Sequence, residues 1–76
     1  MRHDAPRPLG QIACKAGKVM IREHHGRSLW ELDVGKALTP ADLHELEGAA
    51  MEFHQPIGRL MRAAETAAKA KALRDG

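Results

Sequence analysis

Residues 39–74 read TPADLHELEGAAMEFHQPIGRLMRAAETAAKAKALR, and the reading of this stretch decides the fold. Leu43, Leu46, Ala50, Phe53, Ile57, Leu60, Ala64 and Ala67 recur at alternating steps of three and four, which places them on one stripe of an α-helix. Thr39-Pro40-Ala41-Asp42 is a helix start. Threonine caps, proline suits a first turn because it lacks the amide that would go unpaired, and an early acid suits the positive end of the helix dipole. The helix is expected from Pro40 to about His54. From Ile57 to about Leu73 the alanine-rich sequence favours helix again.

Gln55-Pro56-Ile57-Gly58 interrupts this pattern. An interior proline loses one hydrogen bond and presses on the carbonyl of Glu52, and Gly58 adds a further penalty. The helix is therefore kinked or broken near Pro56. The stripe keeps its phase across the interruption, which favours a kink, because a true loop would usually rotate it out of register.

Upstream of the helix the periodicity changes to two. Val19 and Ile21 alternate with Met20 and Arg22, and Trp30, Leu32 and Val34 alternate with Leu29, Glu31 and Asp33, the pattern of a β-hairpin. With His25-Gly26 as the turn, Ile21 faces Trp30, Val19 faces Leu32 and Lys18 faces Asp33. With Gly26-Arg27 as the turn, Arg22 faces Glu31 instead, so the register stays open. Ala16-Gly17 as a tight turn adds a third strand, setting Cys14 against Val19 and Ile12 against Ile21, with Lys15 opposite Lys18 as a mild like-charge cost. Leu9, Ile12, Ala13, Ala16, Val19 and Met20 also fit helical spacing. Gly10 and Gly17 would each cost that helix about 1 kcal/mol, which favours the strand. Residues 1–10, with two prolines and a glycine, read as a flexible arm whose end Leu9 anchors. The expected architecture is α+β: the arm, then a single domain over 11–76, with a short antiparallel meander of two or three strands at 11–34 and a long helical region at 39–74.

Size then raises a question of partners. A chain of 76 residues with one cysteine sits near the lower limit for a stable core without disulfide, metal or association. A continuous helix over 40–73 would be about 50 Å long, whereas strands of five or six residues span about 17–20 Å. One such sheet cannot cover the whole stripe. Either the segment after Pro56 folds back, or the surplus packs on another molecule, most simply in a two-fold homodimer. The expected interface is Leu46, Ala50, Phe53, Ile57, Leu60, Ala64 and Ala67, with Leu43, Leu46, Phe53 and Ile57 also the first choice for packing on Trp30 within one chain.

Charge is unevenly placed. The net charge is +2, yet residues 39–56 hold four acids (Asp42, Glu45, Glu47 and Glu52) and no base, while 1–38 and 57–76 are each net +3. Acids early and bases late complement a helix dipole. Arg59, Arg62 and Lys69 fall on one side of the second helical half with Thr66 between them, and such a row could follow phosphates. Arg2 and Arg7 on the arm could add contacts. With Trp30 and Phe53 as the aromatics, base stacking is disfavoured.

Catalytic signatures are lacking. His24-His25 are adjacent at a turn, His44 and His54 align loosely, and neither paired-ligand spacing nor HExxH occurs. Cys14 falls on the apolar face, where a buried small hydrophobe is expected rather than a nucleophile. Neither a phosphate-cradling glycine loop nor an acid pair placed for acid–base work is present. No apolar run suits a bilayer span or a signal peptide, and the alanine face of the last helix offers little membrane insertion energy. The sequence thus points to a cytoplasmic, non-enzymatic module without cofactor or metal, which binds another protein and regulates it while self-associating through its helical region. The alternative is a DNA-binding transcriptional regulator using the basic row and the arm.

Overall fold

Alternating apolar residues become strands first. In a computed structural model, which describes residues 7–75, β1 (Gln11–Lys15), β2 (Lys18–Arg22) and β3 (Ser28–Asp33) form an antiparallel sheet in the order β1-β2-β3. Then come α1 (Pro40–Glu52) and α2 (Ile57–Asp75). The fold is α+β, with two helices laid on one face of a three-stranded meander. Residues 1–6 of the expected arm lie outside the described residues, and Arg2 with them.

The strands pair as the apolar pattern demands. Cys14 faces Val19, Ile12 faces Ile21, and Lys15 does oppose Lys18. On the other side Ile21 faces Trp30, Val19 faces Leu32 and Lys18 faces Asp33. The loop, however, is longer than either two-residue turn. Gly26, at φ 92°, donates its N–H to Glu23 O at 2.8 Å, and Glu23 N–H donates to Arg27 O at 2.9 Å. This is a three-residue loop with glycine in the left-handed position. A bulge between Ile21 and Arg22 absorbs the mismatch, pairing Arg22 with Ser28 and Ile21 with Trp30. A slip of one residue would have turned every apolar side chain to the wrong face, so the bulge is the cheaper adjustment.

The helix start is as expected. Thr39 Oγ1 accepts from Asp42 N–H at 3.1 Å, Asp42 Oδ2 accepts from Thr39 N–H at 3.0 Å, and Pro40 opens the first turn. At Pro56 the kink gives way to a stop. Phe53 N–H bonds to Ala49 O, Gln55 N–H reaches back to Ala50 O, and His54 takes a left-handed φ of 54°. That is a Schellman-type termination with histidine where glycine is usual. Pro56 O then accepts from Leu60 N–H at 3.2 Å to start α2. Each helix turns its own stripe to the same sheet, and this is why the phase survives a genuine break.

The fold-back covers most of the stripe. Leu46, Leu60, Ala64 and Ala67 have no accessible surface, Ala50 is nearly buried, and Phe53 packs against the core from its margin. Leu43 and Ile57, expected to pack on Trp30, are 37% and 41% exposed instead. Burial is deepest in the second half, where Leu60, Ala64, Ala67 and Ala68 close on Val19 and Ile21. Cys14 is exposed rather than buried, because β1 is an edge strand and its outer end is uncovered. None of the described helices is long and apolar enough to cross a membrane.

Candidate binding groove beside the free edge strand

The groove begins at Gly10. Its φ of 102° favours glycine, and a Cβ there would lie 2.8 Å from Arg22 O, so a larger residue could not enter β1 so close to the end of β2. Two hydrogen bonds tie this entry to the corner between the helices. Leu9 N–H donates to Phe53 O at 2.9 Å, and the buried Gln55 donates through Nε2 to Gly10 O at 2.8 Å. Leu9 thus anchors the end of the arm through its main chain, while its side chain stays half exposed.

At the opposite end the Ala16-Gly17 turn docks directly on α2. Gly17 N–H donates to Ala67 O at 2.9 Å, and Gly17 O accepts from Val34 N–H. Fixed at both ends, α2 lies along β1 and β2. Between strand and helix runs an open groove of about 700 Å³. Pro8, Gly10, Gln11 and Ile12 form its strand side, Gln55 and Pro56 its closed end, and Arg59, Arg62, Ala63 and Thr66 its helix side. The floor at Ile12 and Ala63 is apolar and half-buried. Arg59 and Arg62 are exposed, and among the described residues neither forms an ion pair.

The basic row is therefore divided. Arg59, Arg62 and Thr66 overlook the groove, whereas Lys69 borders a shallow depression with Glu65, Ala68, Ala72 and the connection Lys36-Ala37-Leu38. Arg7 is exposed. The acidic helix α1 carries a smaller hollow of about 180 Å³ beside Trp30, lined by His44, Glu45, Gly48, Ala49 and Glu52. On the open face of the sheet, Lys18 Nζ meets Glu31 Oε1 at 3.1 Å. That hydrogen bond, helped by Ser28 and by the lysine charge, holds the Glu31 carboxyl below its ordinary range.

Ile12, Gln11 and Gln55 join the candidate site without having been legible as site residues. From sequence Gln55 counts only as part of the helix interruption, and Gln11 and Ile12 only as strand. A polar residue between a helix stop and a proline was the available sign, since it must bond something when the corner closes. Among the described residues, no group of three His, Cys, Asp or Glu side chains gathers as a metal site requires. His24 and His25 lie with ring centroids 4.0 Å apart and planes tilted by 41° in the hairpin loop. Comparison with protein-family models, curated proteins and solved structures finds no match to this chain, so the groove's own chemistry carries the functional reading.

Proposed function

We propose that this chain is a non-catalytic protein-binding module, of the kind that regulates a partner, and that it receives a segment of that partner between β1 and α2. The observation that carries the reading is an open groove with an apolar floor, one wall a sheet edge and the other bearing two arginines that form no ion pair among the described residues. A sheet edge supplies main-chain bonding groups, and a neighbouring helix supplies side-chain selection.

Self-association through the helical stripe has less to work with. Leu46, Leu60, Ala64 and Ala67 offer a second copy no surface in this fold, so a homodimer would need Leu43, Phe53 and Ile57, or an edge of the sheet. The DNA-binding alternative draws on Arg59, Arg62 and Lys69, all exposed on α2. Against it stands α1, packed beside α2 with Glu45, Glu47 and Glu52 exposed, which would repel phosphates.

Selection of displayed random octapeptides against the folded protein tests the module reading. Enriched peptides should perturb the amide resonances of residues 10–14 and 59–66. Failure to enrich any peptide, or perturbation confined to other surfaces, would refute the reading. Retention on duplex DNA at low ionic strength, reversed by salt, would favour the alternative.

A further inference from the structure

Resting on the groove as a protein-binding site, we infer that its occupant is an extended acidic segment that adds to β1 as a fourth strand and sets alternate carboxylates on Arg59 and Arg62. The two edges of the sheet are guarded very differently. Along β3 there is a bulge at its start and acids at Glu31 and Asp33, devices that discourage strand addition. From Gln11 to Cys14, β1 has no charge, no proline and no bulge, and among the described residues no strand lies outside it.

The bonding groups on that edge can be assigned. β1 and β2 are joined by a two-residue turn with Lys15 facing Lys18. In such a hairpin the closing pair exchanges both main-chain bonds, and every second pair exchanges none. The N–H and C=O groups of Ile12 and Cys14 therefore point away from β2, along the open edge of the sheet that the groove borders at Ile12. Dimensions agree with a short guest. Five residues of edge span about 17 Å, and α2 from Ile57 to Thr66 rises about 14 Å. Side chains on one face of a strand recur about every 7 Å, within reach of two arginines one helical turn apart. Guanidinium groups pair with carboxylates through two parallel hydrogen bonds, which favours acids over neutral side chains.

Charge also selects against pairing β1 with the β1 of a second copy. Its own β1, Gln-Ile-Ala-Cys-Lys, offers no acid. Antiparallel pairing of β1 with itself about a two-fold axis would bring both Arg59–Arg62 rows to one junction.

The octapeptide selection decides the matter. Enriched sequences should carry Asp or Glu at alternate positions, bind the Arg59→Gln/Arg62→Gln variant at least tenfold more weakly, and slow hydrogen exchange at the Ile12 and Cys14 amides. Cys14→Pro removes an outward N–H from an exposed edge position, where proline is tolerated, and should also weaken binding at least tenfold while circular dichroism stays unchanged. Peptides that occupy the groove but lack acids, or bind the double variant equally well, would overturn the acidic-strand inference and leave the module reading intact. Loss of both would follow if no peptide were enriched. Should Cys14→Pro unfold the protein, the exchange rates of the parent complex decide: unprotected Ile12 and Cys14 amides overturn strand addition.

Discussion

The two helices meet the same sheet on different terms. α1 approaches β3 with its larger apolar residues, yet Leu43 remains 37% exposed and Leu46 is its one large side chain that is fully enclosed. α2 brings Leu60 and a run of alanines, and Leu60, Ala64 and Ala67 show no accessible surface at all. Bulk is therefore a poor guide to which helix is seated more deeply. Small side chains let the α2 backbone come close enough for a turn of the sheet to bond its carbonyl, whereas α1 leaves a hollow beside Trp30 where it presents Gly48 and Ala49.

Truncating the large side chain beneath each helix breaks this comparison most directly. Leu60→Ala and Leu46→Ala should each destabilise by about 2–5 kcal/mol, with Leu60→Ala toward the upper end because the clamped surroundings of α2 cannot collapse into the void. Urea unfolding of the two variants gives the order, and a larger loss at Leu46 would reverse the ranking. Ala67→Leu comes next. Inserting methylenes under α2 should cost about 1–3 kcal/mol by forcing helix and sheet apart, visible in the same titration. Gly48→Ala should do the opposite on α1. A Cβ there meets nothing within 4 Å, so helix propensity alone should raise stability by about 1 kcal/mol, read as a higher midpoint of thermal unfolding.

The smallest effect belongs to a place neither helix touches. Glu31 has its folded pKa lowered, chiefly by the Lys18 hydrogen bond. Its contribution is present above the unfolded carboxyl value of 4.5 and is lost as pH falls through the lower folded value. Glu31→Gln should therefore slightly lower stability at neutral pH, leave it nearly unchanged at the acid extreme, and so flatten the acid limb between them. A flattening as large as the Leu60→Ala loss would mean that the open sheet face supports the fold more than either helix seat.

Much of this architecture was legible in the chain because alternation and capping are local. The pairing of Ile21 with Trp30 and of Ile12 with Ile21 follows from which residues must face the core, and the bulge shows that this demand outweighs loop length. Thr39 and Asp42 announced their cap in the same way. The break at 53–56 was hidden by a coincidence, since two antiparallel helices facing one sheet can keep the phase of a single straight one. Cys14 and the groove were hidden for another reason. Their exposure depends on which strand ends up at the edge and on how far sideways α2 lies, and both are set by contacts distant in sequence. Arg59, Arg62 and Thr66 could be grouped from helical spacing, but not their separation from Lys69, which depends on the connection that runs past α2.

The bond from Gly17 N–H to Ala67 O has a consequence for how this protein will respond to mutation. It joins main chain to main chain, so trimming the side chain at position 67 does not delete it, and of the two residues in the clasp only Gly17, at φ 78° with Lys71 Cδ 3.1 Å from where a Cβ would lie, would register in an alanine scan. Apart from that glycine, the clasp is sensitive to spacing more than to identity. Lengthening the Ala16-Gly17 turn by a single residue should unfasten α2 from the sheet more thoroughly than many changes to its composition.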